Sequence, residues 1–527
     1  MTAGADDASL EPADPPADAG IIATHGKLSM ALIPLAITYL TVAMNMTIAS
    51  VALPTISTEF AATSAQLAWI VNVTPMAAAA LILFAGSWAD RFGRKRILLV
   101  GVTIFLCAAV LSGFAQSADQ LIALRAITGV GSALAMPTAL ALTFDVTRPP
   151  ARRTAIGIMA ATQAIGAILG PLIGGLALVK FGWGAAFFAV TPFLVVALLL
   201  NAVLLPSDSK HTMDAASSTP TDIVGATLMA VAGVALLFSA TSLASQNTGW
   251  QEAVAVVSGV VAFVLLIRWE RHTPHPLFVG AIVRRTTFWL PTLVLFTSQL
   301  VLGGLLFLNT QYVQLVLGYS ALGAGLFLLP ALVMWTIASA TAGLAAHAIG
   351  VVRVVTGAHL VAAVGLVLIA TAGSDPDISV LLGGLALTGV MGAVPALMTH
   401  MAVQSYPEAR RTVGSAINSV SLRLGLAFGV AVFGTILALT YASELRPAVS
   451  ELAAAEQSTA TSSLGGALQV AAGLSAPSAA ALIEASRDAF LSGFHRALVT
   501  AAVLLVVMAS LVFTILRRRT QSGPQDG

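Results

Sequence analysis

The chain has 527 residues, 57% of them hydrophobic and only 9% charged, with a mean hydropathy of +0.92. Soluble domains carry about 25% charged residues, and no single water-exposed core absorbs so much apolar sequence, so composition argues against a soluble enzyme or a nucleic-acid binder and for a helical membrane protein. The net charge of +2 says little as a total, and the one cysteine, Cys107, leaves no disulfide framework.

Residues 1–26 form an acidic, Ala/Pro-rich tail with Asp6, Asp7, Glu11, Asp14 and Asp18. It lacks the basic start and apolar core of a signal peptide and is expected to be disordered. Fourteen apolar segments follow, at 28–52, 66–88, 97–115, 121–144, 154–179, 184–205, 222–243, 252–268, 287–308, 321–346, 353–372, 378–400, 413–440 and 493–516. Each is long enough to cross a bilayer as a helix at about 1.5 Å per residue, and helices keep every backbone group satisfied in lipid. The expected fold is therefore an all-α polytopic membrane protein.

The charges orient it. With the N-terminus inside, 19 of the 25 basic residues fall on the inner side, among them Arg91, Arg94, Lys95, Arg96, Arg152, Arg153, Arg353 and Arg517 to Arg519. Lys180, Arg446, Arg487 and Arg496 fall outside, and Arg125 and Arg423 lie within helices. This asymmetry places both termini in the cytoplasm. Residues 206–222 read as a polar inner linker, and 517–527 as a cytoplasmic tail. The outer segment 441–490 is either a partly helical cap or a disordered loop.

Three motifs carry chemistry. The turn after the second helix reads Gly86-Ser87-Trp88-Ala89-Asp90-Arg91-Phe92-Gly93-Arg94-Lys95-Arg96; Gly86 allows close helix approach and Gly93 a tight turn. The fourth helix carries Arg125 ahead of Thr128-Gly129-x-Gly131. A charge within the membrane is costly, so Arg125 either faces the interior with a role or snorkels to the nearby outer interface. The fifth helix contains Gly166, Gly170, Pro171, Gly174 and Gly175, a small-residue stripe for close packing with a proline bend.

The first motif resembles the signature between helices 2 and 3 of the major facilitator superfamily, and the fifth-helix motif resembles the antiporter motif of its exporters. Asn45 to Pro54 in helix 1, Trp69, the stretch from Gln311 to Gly325, and Gly414 to Asn418 followed by Arg423-x-Gly425-x-x-x-Gly429 are similar to the fourteen-helix drug:proton antiporter family. The resemblance implies two six-helix bundles (27–205 and 287–516, the latter including 441–490), with two inserted helices in 206–286, and a substrate site between the bundles near mid-membrane. It also implies a conformational latch of Gly86, Asp90, Arg91, Gly93, Arg94 and Asp145, and a substrate or coupling role for Arg125.

The chain departs from that family where Asn45 replaces the usual helix-1 Asp implicated in proton coupling; an amide does not titrate. The Trp-Arg-Trp-x-Phe element is reduced to Trp183-Gly184-Ala185-Ala186-Phe187, and Thr74-Pro75 stands where a Tyr is common. None of the 23 acidic residues falls near mid-membrane on these spans. Among the histidines His359, His347, His400 and His495, His359 ranks first as a titrating group because it enters an apolar run. Each of them, however, is open to a plain hydrogen-bonding role.

The leading expectation is a monomeric plasma-membrane exporter of amphipathic small molecules in exchange for protons, with the lipid bilayer as its other partner and no nucleic acid, cofactor or metal. Asn45 and Thr47, with Gln163, Asn309, Gln311 and Asn418, are possible polar contacts in a mainly apolar pocket. Helix–helix hydrogen bonding is the competing role for each. An uncoupled or lipid-moving facilitator of the same fold, and a non-transporting receptor, are the alternatives. The lack of a central acid weighs against a preference for cationic drugs.

Overall fold

The computed structural model describes residues 30–147, 152–207, 223–242, 250–273, 286–405 and 411–521. The expected N-terminal tail, the linker at 208–222 and the end of the C-terminal tail lie outside the described residues. The first half comprises α1 (Leu32–Phe60), α2 (Ser64–Phe92), α3 (Arg94–Ser112), α4 (Ala118–Val146), α5 (Arg152–Phe181), the short α6 (Gly184–Phe188) and α7 (Thr191–Leu204). Two helices follow, α8 (Ile223–Ser242) and α9 (Trp250–Glu270). The second half comprises α10 (Thr286–Gln311), which runs into a π-turn at Tyr312–Val316, α11 (Ala321–Ile349), α12 (Val351–Ala370), α13 (Ile378–Gly389), α14 (Ala393–Gln404) and α15 (Arg411–Leu445). The caps α16 (Ala454–Ser462) and α17 (Leu464–Ala471) precede α18 (Ala476–Gln521).

Among the described residues, 12 helical stretches are long and apolar enough to cross a membrane. The inserted α8 and α9, 20 and 21 residues long, fall outside that set; α9 packs on α8, and α8 packs on α2 and α15. The crossings α13 and α14 form one span interrupted by a 3-10 turn at Val390–Gly392. The segment 441–490 is helical: α15 runs on to Leu445, α16 and α17 follow, and α18 begins at Ala476, 17 residues before the apolar run suggested. It is a 46-residue helix whose first turns carry Glu484, Arg487 and Asp488. Polar helical turns outside the lipid lack the apolar run by which a crossing is recognised.

Local chemistry sets the ends. Thr63 caps α2, its hydroxyl accepting from Gln66 N while the Gln66 side chain accepts from Thr63 N at 3.1 Å. Gly93, at φ 99°, ends α2 and starts α3, and Gly350, at φ 89°, does the same between α11 and α12; only glycine takes this backbone cheaply.

The two halves repeat one another in such details. In the first, α1 packs against α5 and α3 against α4; in the second, α10 packs against α15 and α12 against α13. Each pairing is a glycine seam. Gly101 faces Gly131, Gly365 faces Gly384, and Gly425 and Gly429 meet the α10 backbone at Phe296 and Leu300. Lipid offers no hydrophobic drive for helix association, so such close backbone contact supplies the packing. The halves meet along α2 with α15 and α5 with α11, while Val203, Leu344, Val257 and Val503 are exposed on the outer faces, as side chains in lipid are.

Candidate functional site

One end of the molecule carries the basic joint. Arg91 and Arg94 flank Gly93 there, and the Arg94 guanidinium donates to both carboxylate oxygens of Asp145, at 2.7 and 2.8 Å. Both partners are partly solvated, 35% and 45% exposed. Lys95 donates to the Leu205 carbonyl at 2.6 Å, tying the joint to the end of α7. Arg91 is exposed, its guanidinium 5.6 Å from the Phe92 ring centre. Gly86 and Asp90 sit within α2, but their side chains lie outside the described set, so of the six latch residues the structure joins Arg94 and Asp145.

Deeper in the bundle, Arg125 is 1% exposed. Its Nε donates to the Ile70 carbonyl at 3.1 Å and its Nη1 to Asn45 Oδ1 at 2.8 Å. Thr74 donates to the Arg125 carbonyl, and the Phe187 ring centre is 5.8 Å from the guanidinium carbon. Arg125 therefore points inward and does not snorkel. The residue that replaces the family's Asp is its hydrogen-bond partner, and the Phe that survives from the reduced Trp-Arg-Trp-x-Phe element stands beside its cation. The charge is solvated by a carbonyl and an amide in place of a carboxylate.

Thr47 is placed differently. It donates to the Ala167 carbonyl across the α1–α5 seam at 3.1 Å, and Gly170 lies directly against its hydroxyl. Gly166 and Gly174 rest on Leu40 and Ile48, one helical turn to either side. The stripe thus holds α5 on α1, with Gly175 buried beside it. Pro171 turns outward to the other half, where a Cβ on Gly325 of α11 would sit 2.8 Å from the Pro171 carbonyl oxygen.

Further contacts close the end opposite the basic joint. Gln314 donates to the Val51 carbonyl at 3.0 Å, Ser463 of the cap donates to the Ala62 carbonyl at 3.4 Å, and Gly465 lies on Ser57. Nearer the middle, Val73 and Met76 of α2 cluster with Ala427 and Ala431 of α15.

The other candidates are scattered. His359 is buried on α12, which packs on α11, α13, α14 and α18; its Nδ1 lies 2.7 Å from the Val355 carbonyl and its Nε2 has no partner. His347 and His400 are exposed, and His495 binds the Ala372 carbonyl. Gln163 is exposed, Gln311 is buried, and Asn418 donates to Thr399 with its Oδ1 unpartnered. Asn309 is wholly buried with both side-chain atoms unpartnered.

Sequence reasoning left one group aside. Arg423 of α15, 9% exposed, crosses to the first half, where its Nη2 reaches Met136 Sδ at 2.9 Å; Tyr39 donates to the Met136 carbonyl beside it at 3.3 Å. A charge inside an apolar run was the available signal, the same one that marked Arg125.

A family model described as Major Facilitator Superfamily matches residues 35–430. The multidrug efflux pump LfrA of Mycolicibacterium smegmatis is 31% identical over 93% of this chain and 96% of its own length. The methyl viologen resistance protein SmvA of Salmonella typhimurium is 29% identical over 91% and 96%, and the tetracenomycin C resistance and export protein of Streptomyces glaucescens is 28% identical over 94% and 93%. Among solved structures, a bacterial homolog of the human lysosomal transporter Spinster, inward-facing and occupied, superposes with a TM-score of 0.63 at 19% identity, covering 94% of this chain and 98% of that one.

Proposed function

The chain belongs to the major facilitator superfamily, and we propose that it is a plasma-membrane exporter of amphipathic small molecules that works by alternating access. The basic joint is its cytoplasmic end, both termini are cytoplasmic, and the units 27–205 and 287–516 are the moving bundles, with 206–286 inserted between them. One observation carries the export reading: the full antiporter stripe from Gly166 to Gly175 is seated on α1 while its Pro171 abuts the other half at Gly325. The seam so couples the packing of the first bundle to the interface that must open. Similarity to relatives named for efflux, resistance and export, over more than nine-tenths of the chain, points the same way.

Arg125 and Asn45 form the fixed polar core of the first bundle. The Arg94–Asp145 pair serves as a latch that is remade as the bundles rock. Protons drive the export. Asn45 does not carry them, because an amide does not titrate near neutral pH; His359, with its free Nε2, is the titratable candidate on the described helices. The same Asn45 favours a second reading, a facilitator of this fold without proton drive.

Cells expressing the chain should tolerate and accumulate less of some members of a panel of antibiotics and dyes than matched controls. A protonophore should abolish the difference. Resistance that survives the protonophore supports the uncoupled reading, and identical susceptibility across the panel defeats export.

A further inference from the structure

We propose that the cargo is an amphipathic organic anion (a carboxylate, sulfonate or phenolate on an apolar body) and that Arg423 is the residue that receives its charge. This rests on the transport reading above and specifies its substrate class. Arg423 Nη1 is buried with no hydrogen-bond partner. Its Nη2 meets a thioether, the Met136 Sδ, whose own backbone carbonyl accepts from the neutral phenol of Tyr39, and neither group neutralises the charge.

No carboxylate lies at comparable depth on the described helices. Glu59, Asp119, Asp145, Glu270 and Glu444 are each the last, second or second-last residue of their helix, and Asp90 and Glu252 are third from an end. Glu456 lies in the cap, Glu484 and Asp488 lie in the first turns of α18 ahead of its apolar run, and Asp375 and Asp377 precede α13. Two guanidinium groups therefore stand inside the bundle, Arg125 and Arg423, separated by 11 residues of α4 between position 125 and Met136, about 16 Å at the helical rise. Arg125 is satisfied by its amide and carbonyl partners; Arg423 is not. An uncompensated cation in the membrane interior marks a site whose partner arrives with function.

Position also fits. Arg423 belongs to the second half but makes its contact on the first, so rocking of the bundles must separate it from Met136 and bare its donors to the space between them. An anion entering there forms charge-assisted hydrogen bonds and restores neutrality; a cation meets a field of its own sign.

Fluorescein and rhodamine 123 share a xanthene frame and carry opposite charge at neutral pH. In phosphatidylcholine proteoliposomes, free of anionic lipid, the full-length protein should move fluorescein faster than rhodamine 123. Arg423→Gln should lower the fluorescein-to-rhodamine rate ratio by about tenfold or more, the scale of one charge-assisted hydrogen bond, while Arg423→Lys retains most of it. Met136→Glu, which sets a carboxylate against the guanidinium, should shift the ratio the same way. The M136E arm tests the proposal even if R423Q does not fold. Transport of rhodamine 123 in preference to fluorescein overturns the inference and leaves export standing. So does an equal loss of both dyes in every variant. Failure to move either dye, together with unchanged drug susceptibility in cells, defeats the transport reading itself.

Discussion

Replacing Asn45 tests the buried polar core most sharply. Its Oδ1 accepts from Arg125 Nη1 at 2.8 Å, and both residues are at most 2% exposed. A hydrogen bond to a charged group contributes about 1.5–3 kcal/mol, and its loss leaves a buried N–H without an acceptor. Asn45→Ala should therefore destabilise the protein by about 2–3 kcal/mol. In an Arg125→Met background the charge is gone, and the same change should cost less than about 1 kcal/mol, a coupling energy of roughly 1.5–2 kcal/mol. Asn45→Asp behaves differently. Coulomb attraction at about 4 Å with an effective dielectric constant near 20 is about 4 kcal/mol, and desolvating the new carboxylate costs a similar amount, so stability should change little. Unfolding of the detergent-purified protein by SDS titration, followed by the fluorescence of its seven tryptophans, measures all four states of the cycle. A cost for N45A below about 0.5 kcal/mol, or an equal cost with and without Arg125, would refute the pairing.

Two more outcomes follow from packing and exposure. Gly170→Val places a branched side chain into the Thr47 hydroxyl and the Met44 backbone and should abolish monodisperse protein on size-exclusion chromatography, whereas Gly357→Ala, which has nothing within 4 Å, should keep or raise the melting temperature. Because Arg94 and Asp145 are 35% and 45% exposed, their pair contributes at most about 1 kcal/mol to stability. Arg94→Ala should accordingly leave the unfolding midpoint nearly unchanged while slowing export in a dye-efflux assay.

Much of this was legible in the chain because lipid simplifies the reading. Apolar runs located most of the helices to within a few residues, though α1 runs eight residues past the expected end at 52. Among the described residues, 12 stretches rather than fourteen are long and apolar enough to cross. The G-x-x-x-D-R-x-G-R-K and glycine-stripe spacings marked Gly93 and the α1–α5 seam. What escaped were features whose causes lie outside the apolar pattern. The start of α18 at Ala476 sits in polar helical turns beyond the lipid, which carry no hydropathy signal. Thr47, grouped by motif with Asn45, turns instead to the Ala167 carbonyl, because three-dimensional packing decides which face of α1 meets α5. The Arg125–Asn45 pairing joins positions 80 residues apart, and the approach of Arg423 to Met136 joins positions 287 apart. No local spacing records such contacts. The repeat linking Gly93 to Gly350, and Gly101–Gly131 to Gly365–Gly384, escaped as well, since glycines at matching joints carry little sequence similarity around them.

Rocking of the two bundles is tested most directly by tying them together at the end opposite the basic joint. A Cβ on Gly325 would lie 3.1 Å from the Pro171 Cβ, slightly closer than the span of about 3.5–4.5 Å that a disulfide bridges, so a small outward shift of α11 seats the bond. A P171C/G325C pair in a background with the native thiol removed (Cys107→Ser) should export dye when reduced, stop when oxidised, and recover on reduction. Full export by the oxidised, quantitatively cross-linked protein would contradict it, because substrate would then cross without the bundles parting.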